Sequence, residues 1–435
     1  MTRQTGRACY RKCRSISSVR CQLSQKSKSQ TETKRRRTTM SDENKTKKFP
    51  PPKREWVLVI GDTHKCNRLV IEHIIRKGLE FGVGSIIHTG DIEKMHVDGE
   101  LFGNLPVYCA LVEDQASDPF FVDGTPPGWI YTRSGPTRIV TLKDLIVAYI
   151  GHQKPMEFLR QSEEELCKGL GDLKMLKDKL RYVFGGHLHL QVCFSAGLIT
   201  LVNPGAAENS LGWGYEFAFV NTETGEIIYD RILHTKDSRE PFSVAVISDS
   251  LDITSIDPGF WSRFADELRE RDVKEVIHCG NLYLKDIGRP ELADRIVHYS
   301  IRKDQLYEHG KMNDTGKIPP NWKVIPDSWL DNGAIVVIGG YHFYVEHDLG
   351  LVYTTLSGLG MDKKAMEIGR RFPETQFVLC GLTRTFFMLE GEQVTTINPG
   401  DLNNSHCYVV IHLPNRRITF KRVPYPELPP LPPLD

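Results

Sequence analysis

Val57–Asp62 (VLVIGD) returns as Val244–Asp249 (VAVISD) 187 residues further on, and this restatement limits what the chain can become more than any other feature. Ile86–Asp91 (IIHTGD) returns as Val276–Asn281 (VIHCGN), and Glu113-Asp114-Gln115 returns as Lys303-Asp304-Gln305, both at a spacing of 190. His152 returns as His347, Gly186-His187-Leu188-His189 as Gly381-Leu382-Thr383-Arg384, and Asn203-Pro204-Gly205 as Asn398-Pro399-Gly400, all at 195. Small steps in spacing between otherwise matching segments are what loop insertions produce. A period this long is domain-sized, so 435 residues are read as two tandem copies of one domain. The expected boundaries are 55–236 and 241–423, with a basic tail over 1–54 and a proline-rich tail over 424–435.

Within the first copy the same device repeats. Trp56–Ile60 (WVLVI) is a short apolar, β-branched run of the kind that forms a buried strand, and it ends in Gly61-Asp62-Thr63-His64. Residues 67–81 carry apolar side chains at helical spacing, with Asn67 as the expected N-cap. Ser85–His88 reads as a second strand ending in Gly90-Asp91. Leu145–Ile150 leads into Gly151-His152, Arg181–Phe184 into Gly186-His187-Leu188-His189, and Leu198–Val202 into Asn203-Pro204-Gly205. Layered α/β sheets gather the carboxyl ends of their strands at one edge. The carboxylates and imidazoles are therefore expected to converge there.

Asp oxygens and neutral His nitrogens together suit Mn, Fe, Zn or Ni. Asp62 and His64 can grip one ion across a one-residue gap, and His187 and His189 can each reach a different ion. Asp91 can bridge with its two oxygens. Such a pair of ions clamps the attacking and leaving oxygens of phosphoryl transfer. The charge distribution agrees with a cation-binding body. Residues 1–54 hold 17 Lys/Arg and 3 Asp/Glu, while the rest holds 39 Lys/Arg and 52 Asp/Glu. An acidic body disfavours a phosphate-backbone binder.

These motifs, in this order, resemble the calcineurin-like metallophosphoesterase superfamily. They look most like the small bacterial and archaeal YfcE-type phosphodiesterases, a group related to a retromer subunit of the same fold. The resemblance covers roughly residues 55–235. It implies an α/β fold in which each copy is a four-layer αββα sandwich, and two divalent metal ions, manganese favoured. One ion would be held by Asp62, His64 and His189 and the other by His152 and His187, with Asp91 bridging. Asp91 and His187 would be catalytic, and the substrate a phosphomonoester or phosphodiester. The family's Asn ligand after the third strand is missing: Val107–Gln115 (VYCALVEDQ) stands there. Glu113 or Asp114 can supply a replacement oxygen, and the metal set is written with Glu113. A proton donor to the leaving group is also unassigned, with Asp114 and His96 as the choices.

In the second copy the ligands are mostly replaced: His64 by Leu251, Asp91 by Asn281, His187 by Leu382 and His189 by Arg384. Asp249 and His347 alone cannot hold two ions, so this copy is read as degenerate. It remains useful for packing, oligomerisation or covering the cleft. A non-catalytic binding or scaffold protein on the same fold is the competing function.

The remaining signals are weaker. No apolar run is long enough to span a bilayer, so no membrane role is expected. Ten scattered cysteines without a CxxC pair indicate reduced thiols and a cytoplasmic setting. The acid-poor segment 1–39 is expected to remain disordered. Transit-peptide and nuclear-signal readings and a true start at Met40 are alternatives. Tyr425–Asp435 contains PxxP and suits an extended polyproline II strap.

Overall fold

The computed structural model describes residues 50, 52–98, 100–111, 115, 118, 120–121, 126–132, 139–142, 146–151, 180–196, 199–208, 214–234, 238–251, 253–301, 306–325, 333–348, 358–381, 385–391 and 393–424. The basic segment to residue 49, the proline-rich segment from 425, and Glu113, Asp114, His152 and Arg384 lie outside the described residues. Phe49–Asp435 is one compact unit.

The architecture is mixed α/β with two large sheets. The first half supplies β1 (Lys53–Ile60), β2 (Val83–His88), β3 (Val107–Ala110), β4 (Trp129–Thr132), β5 (Ile139–Leu142), β6 (Ile146–Gly151), β7 (Leu180–Gly185), β8 (Gln191–Ala196), β9 (Ile199–Pro204), β10 (Tyr215–Asn221) and β11 (Ile227–Ile232). The second half supplies β12 (Phe242–Ile247), β13 (Glu275–His278), β14 (Ile296–Tyr299), β15 (Trp322–Val324), β16 (Ala334–Ile338), β17 (Tyr341–Val345), β18 (Thr375–Leu379), β19 (Phe387–Glu390), β20 (Thr395–Asn398), β21 (Cys407–Leu413) and β22 (Arg417–Arg422). The longer helices are α1 (Arg68–Phe81), α2 (Phe260–Glu270), α3 (Leu306–Asp314) and α4 (Gly358–Arg371).

The 12-stranded sheet runs β15-β14-β13-β12-β21-β22-β11-β10-β1-β2-β3-β4, and the 10-stranded sheet runs β16-β17-β18-β20-β19-β8-β9-β7-β6-β5. Each order is a palindrome when every strand is matched with the one eleven places later. The halves join through antiparallel pairs in both sheets, β11 with β22 and β8 with β19. Backbone pairing across the junction was not foreseen from the side-chain pattern. It gives the two halves two continuous sheets in common.

Why β1 is apolar throughout its inner length follows from its position. Val57 and Val59 face the core between the sheets, while Leu58 and Ile60 face α1 on the outer side. A strand buried on both faces needs no polar alternation. β12 repeats this, with Val244 and Val246 between the sheets and Ala245 and Ile247 against α2. Each such side chain contributes roughly 1.5–3 kcal/mol on burial. β1 starts at Lys53, three residues before the apolar run, because Lys53 N–H donates to Gly82 O and the strand pairs with β2 there. α1 begins after Asn67, whose side chain accepts from Leu69 N–H at 2.9 Å, and Gly82 closes it at φ 85°. In the second half α2 covers the 12-stranded sheet, and Ala365 and Ile368 of α4 cover Tyr344 and Val378 of the 10-stranded sheet.

A buried polar network ties the halves where both sheets meet. Arg231 of β11 lies 2.8 Å from Glu390 of β19 and 3.3 Å from Glu216 of β10. It also donates to Gln191 of β8, whose amide donates to Phe217 O and Asp230 O of the other sheet. Burial pushes the Glu216 carboxyl well up, and the neighbouring Glu390 charge adds to this. For Glu390 burial pushes the same way, but the Arg231 guanidinium and the Glu216 hydrogen bond outweigh it, so its carboxyl ends below the usual range.

Candidate functional site

The site forms where β1, β2, β7 and β9 end. Asp62 N–H donates to Gly90 O at 3.1 Å, Thr63 N–H to Asp91 O at 3.0 Å, and Thr89 N–H to Ile60 O at 2.9 Å, which locks the first two loops together. A Cβ on Gly61 would stand 2.1 Å from Thr89 Oγ1, so the loops approach too closely for any side chain there. Buried His88 braces the pair: Gly90 N–H donates to its Nδ1 at 3.2 Å, so the proton lies on Nε2, 3.1 Å from Thr63 Oγ1. Asn203 performs the same service for the other two loops. Its amide donates to Gly186 O at 3.2 Å while its oxygen accepts from Gly205 N–H at 3.1 Å. The Asn-Pro-Gly motif is thus a brace between loops.

Four residues read as ligands sit in left-handed backbone: Asp62 at φ 50°, Asp91 at 57°, His187 at 69° and His189 at 54°. Such angles are uncommon outside glycine and persist only where the surroundings impose them. The side chains then meet. Asp62 is fully buried, and its Oδ2 accepts from His187 N–H at 3.0 Å. His189 Nε2 lies 3.4 Å from Asp62 Oδ1. His64 Nδ1 lies 2.9 Å from Asp91 Oδ2. The Asp62 hydrogen bond raises the His189 pKa; burial opposes this, and the charges of Asp62, Glu208 and Asp91 reinforce it.

Sequence reasoning missed Glu208, four residues beyond β9. Its Oε1 lies 2.8 Å from His189 Nδ1 and its Oε2 lies 3.2 Å from His64 Nε2, with the side chain 6% exposed. The structure therefore brings together Asp62, His64, Asp91 and His189, and adds Glu208. His187 joins through its backbone, its side chain exposed. His96 is fully buried, and burial pushes its pKa down, which holds it neutral.

Among the described residues, no group of three or more His, Cys, Asp and Glu stands as a ready-made metal site; the donors pack on one another instead. Their chemistry nevertheless fits cations. Three carboxylates enclose two imidazoles. His64 lies between Asp91 and Glu208, and His189 between Asp62 and Glu208. A neutral imidazole has one N–H and cannot donate to two carboxylates at once. The cluster has more acceptors than neutral rings can serve, which a bound cation or a carboxyl proton would relieve. His64 Nδ1 and Glu208 Oε2 are buried without an aligned hydrogen bond despite these short approaches.

The corresponding place in the second half is assembled differently. Asn281 Nδ2 donates to Asp249 Oδ1 at 2.9 Å, and Ser248 Oγ donates to Asp249 Oδ2 at 2.8 Å. The braces persist. Gly280 N–H donates to His278 Nδ1 at 3.2 Å and His278 Nε2 lies 2.8 Å from Ser250 Oγ; Asn398 donates to Gly381 O at 2.9 Å.

No family model matches the sequence, and no curated protein matches it. Solved structures do. A predicted phosphoesterase from Streptococcus pneumoniae is 18% identical, covers 41% of this chain and 88% of its own, and has a TM-score of 0.27. An archaeal phosphodiesterase is 17% identical over 41% of this chain and 99% of its own, at a TM-score of 0.30. Vps29 from Entamoeba histolytica complexed with zinc is 15% identical over 41% and 90%, at 0.27. Among the described residues no helix is long and apolar enough to cross a membrane.

Proposed function

We propose that residues 55–236 form a metal-dependent phosphoesterase domain and that residues 241–423 are a non-catalytic copy of it. The observation that carries this reading is the meeting of Asp62, His64, Asp91 and His189, from three separate strand ends, around more carboxylate than two neutral imidazoles can satisfy. These four would hold divalent ions, with His187, His152 and Glu113 or Asp114 completing the set. Bound there, a pair of ions would supply Lewis acidity to a phosphate ester and to water. The protein's own part is placement. Asp62 is fixed by the His187 amide, and the left-handed loops turn the donors inward. The palindromic strand order supports the duplication, as does the pairing of Cys193 with Met388, which stand 195 residues apart like the histidine motifs.

The test is hydrolysis of bis-p-nitrophenyl phosphate with added Mn²⁺. Wild type should turn over, and Asp91→Asn, with unchanged melting temperature, should lose at least about 100-fold, the scale of one electrostatic contact to a transition state. The direct contacts among the donors favour a second reading, a binding protein whose site is closed by its own side chains. Wild type that neither hydrolyses the ester nor retains manganese on metal analysis would leave that reading standing.

A further inference from the structure

We infer that Glu208 is a positioning residue for His189: its carboxylate takes the Nδ1–H of that ring and thereby leaves Nε2, on the Asp62 side, bare for a divalent cation. The inference rests on the metal-site reading above. The geometry is specific as to atoms. Each ring has one nitrogen toward an aspartate, Nδ1 of His64 toward Asp91 and Nε2 of His189 toward Asp62. The other nitrogen of each ring, Nε2 of His64 and Nδ1 of His189, faces Glu208. An ionised carboxylate only accepts, so a proton held by Glu208 is on the outer side. The nitrogen on the inner side then carries a lone pair, the form in which imidazole binds metal. Carboxylates that bond the far nitrogen of a ligating histidine fix both its tautomer and its ring orientation. For His189 the Glu208 contact, at 2.8 Å, is shorter than the 3.4 Å to Asp62. For His64 the order is reversed, 3.2 Å to Glu208 against 2.9 Å to Asp91, and Glu208 Oε2 makes no aligned hydrogen bond, so the inference is confined to His189.

A second observation separates this role from mere packing. The position of Glu208 corresponds, at the spacing of 195, to Asn403 in the second half. There His64 is replaced by Leu251 and His189 by Arg384, so the ring that Glu208 meets is gone. The loop itself survives, with Asn398 still accepting from Gly400 N–H at 2.9 Å. The carboxylate is absent where the rings are absent, while the turn that carries it remains.

The experiment uses the full chain and Mn²⁺ as the probe, with two readouts. Nitrogen-15 spectra of the histidine rings followed upward in pH until the second ring proton of His189, whose pKa is raised, is lost report its tautomer without metal. Wild type should then show the remaining proton on Nδ1 of His189. Glu208→Gln should shift it toward Nε2. Calorimetric titration with Mn²⁺ should then show binding weakened roughly 10–100-fold at unchanged stoichiometry. Glu208→Asp, which keeps the charge on a shorter arm, should fall between the two and guards against a glutamine variant that does not fold. A wild-type His189 proton on the Asp62-facing nitrogen would overturn the inference, as would Glu208→Gln with an unaltered His189 tautomer and unaltered Mn²⁺ affinity. Wild type that binds no Mn²⁺ removes the metal-site reading instead, while the spectra still decide where Glu208 places the His189 proton.

Discussion

The two strand-end centres of this molecule share a frame and differ in charge. Asp62 and Asp249 both sit in left-handed backbone, at φ 50° and 54°, and so do Asp91 and Asn281, at 57° and 59°. His88 and His278 hold the same neutral tautomer through the same pair of partners. Asn203 and Asn398 make the same brace. The strained angles therefore belong to the loop frame and occur with either set of side chains, so strain alone does not mark a functional site. What separates the centres is how the buried aspartate is satisfied. In the second, a serine hydroxyl and an asparagine amide occupy both oxygens of Asp249. In the first, Asp62 shares its surroundings with two further carboxylates and two imidazoles, a set that neutral donors cannot satisfy.

The largest expected effect tests whether the halves can be compared as separate bodies at all. Arg231→Met removes the guanidinium between Glu216 and Glu390 and leaves the two carboxyls buried at the junction of both sheets without it. Breaking a buried pair in this way costs about 3–5 kcal/mol. Because β8 pairs with β19 and β11 with β22, the loss should appear as one urea transition shifted as a whole. Two transitions, only one of them moved, would show that the halves unfold independently. A loss under about 1 kcal/mol would show the network to be inert.

Acid sharpens the comparison from the side of the shared frame. Burial pushes the His278 pKa down to about 3, with His347 adding to the effect. Burial, with Arg417 and Arg271, pushes His412 down to about 4. In the unfolded chain both titrate near the ordinary value of about 6.5. Between these limits the unfolded chain binds more protons than the folded one, so stability falls as pH drops from 6.5 toward 4 and is insensitive to these groups above that window. From pH 6.5 to 4.5 the loss should be about 2 kcal/mol for each histidine. Urea midpoints measured across the range in wild type and His278→Gln should show a shallower slope in the variant, and equal slopes would refute the assignment.

Much of this frame was legible in the sequence because its determinants are local. Trp56–Ile60 reads as a strand since both its faces are buried, and Asn67 reads as a cap since its side chain bonds the next turn. Asp62, His64, Asp91 and His189 were visible because each follows such a strand. Glu208 was not. In sequence it is one more carboxylate after a turn, and only the fold brings it against two rings from distant loops. Its one signal was comparative: Asn403 stands at the matching spacing in the second half, where Leu251 and Arg384 stand at the spacing of His64 and His189. The short strands β3, β4 and β5 and the joining of the halves were hidden for the same reason, since backbone pairing leaves little mark on side-chain type.

The smallest expected effect returns to the second centre. Asn281→Asp restores the carboxylate that Asp91 supplies in the first half. It removes the amide that donates to Asp249 Oδ1 and sets two carboxylates about one hydrogen bond apart. Losing a buried donor costs about 1–3 kcal/mol, so the melting temperature should fall by several degrees without metal. Leu251 and Asn403 stand where the first half has His64 and Glu208, so beside Asp249 and position 281 Mn²⁺ finds the His347 ring, packed against Gly280, in place of the two imidazoles and third carboxylate of the first half. Added Mn²⁺ should therefore recover little of the lost stability, in contrast to the stabilisation expected of the first centre. Full recovery at micromolar Mn²⁺ would mean that a single carboxylate separates the two centres, and that the imidazoles and Glu208 count for less than their contacts indicate.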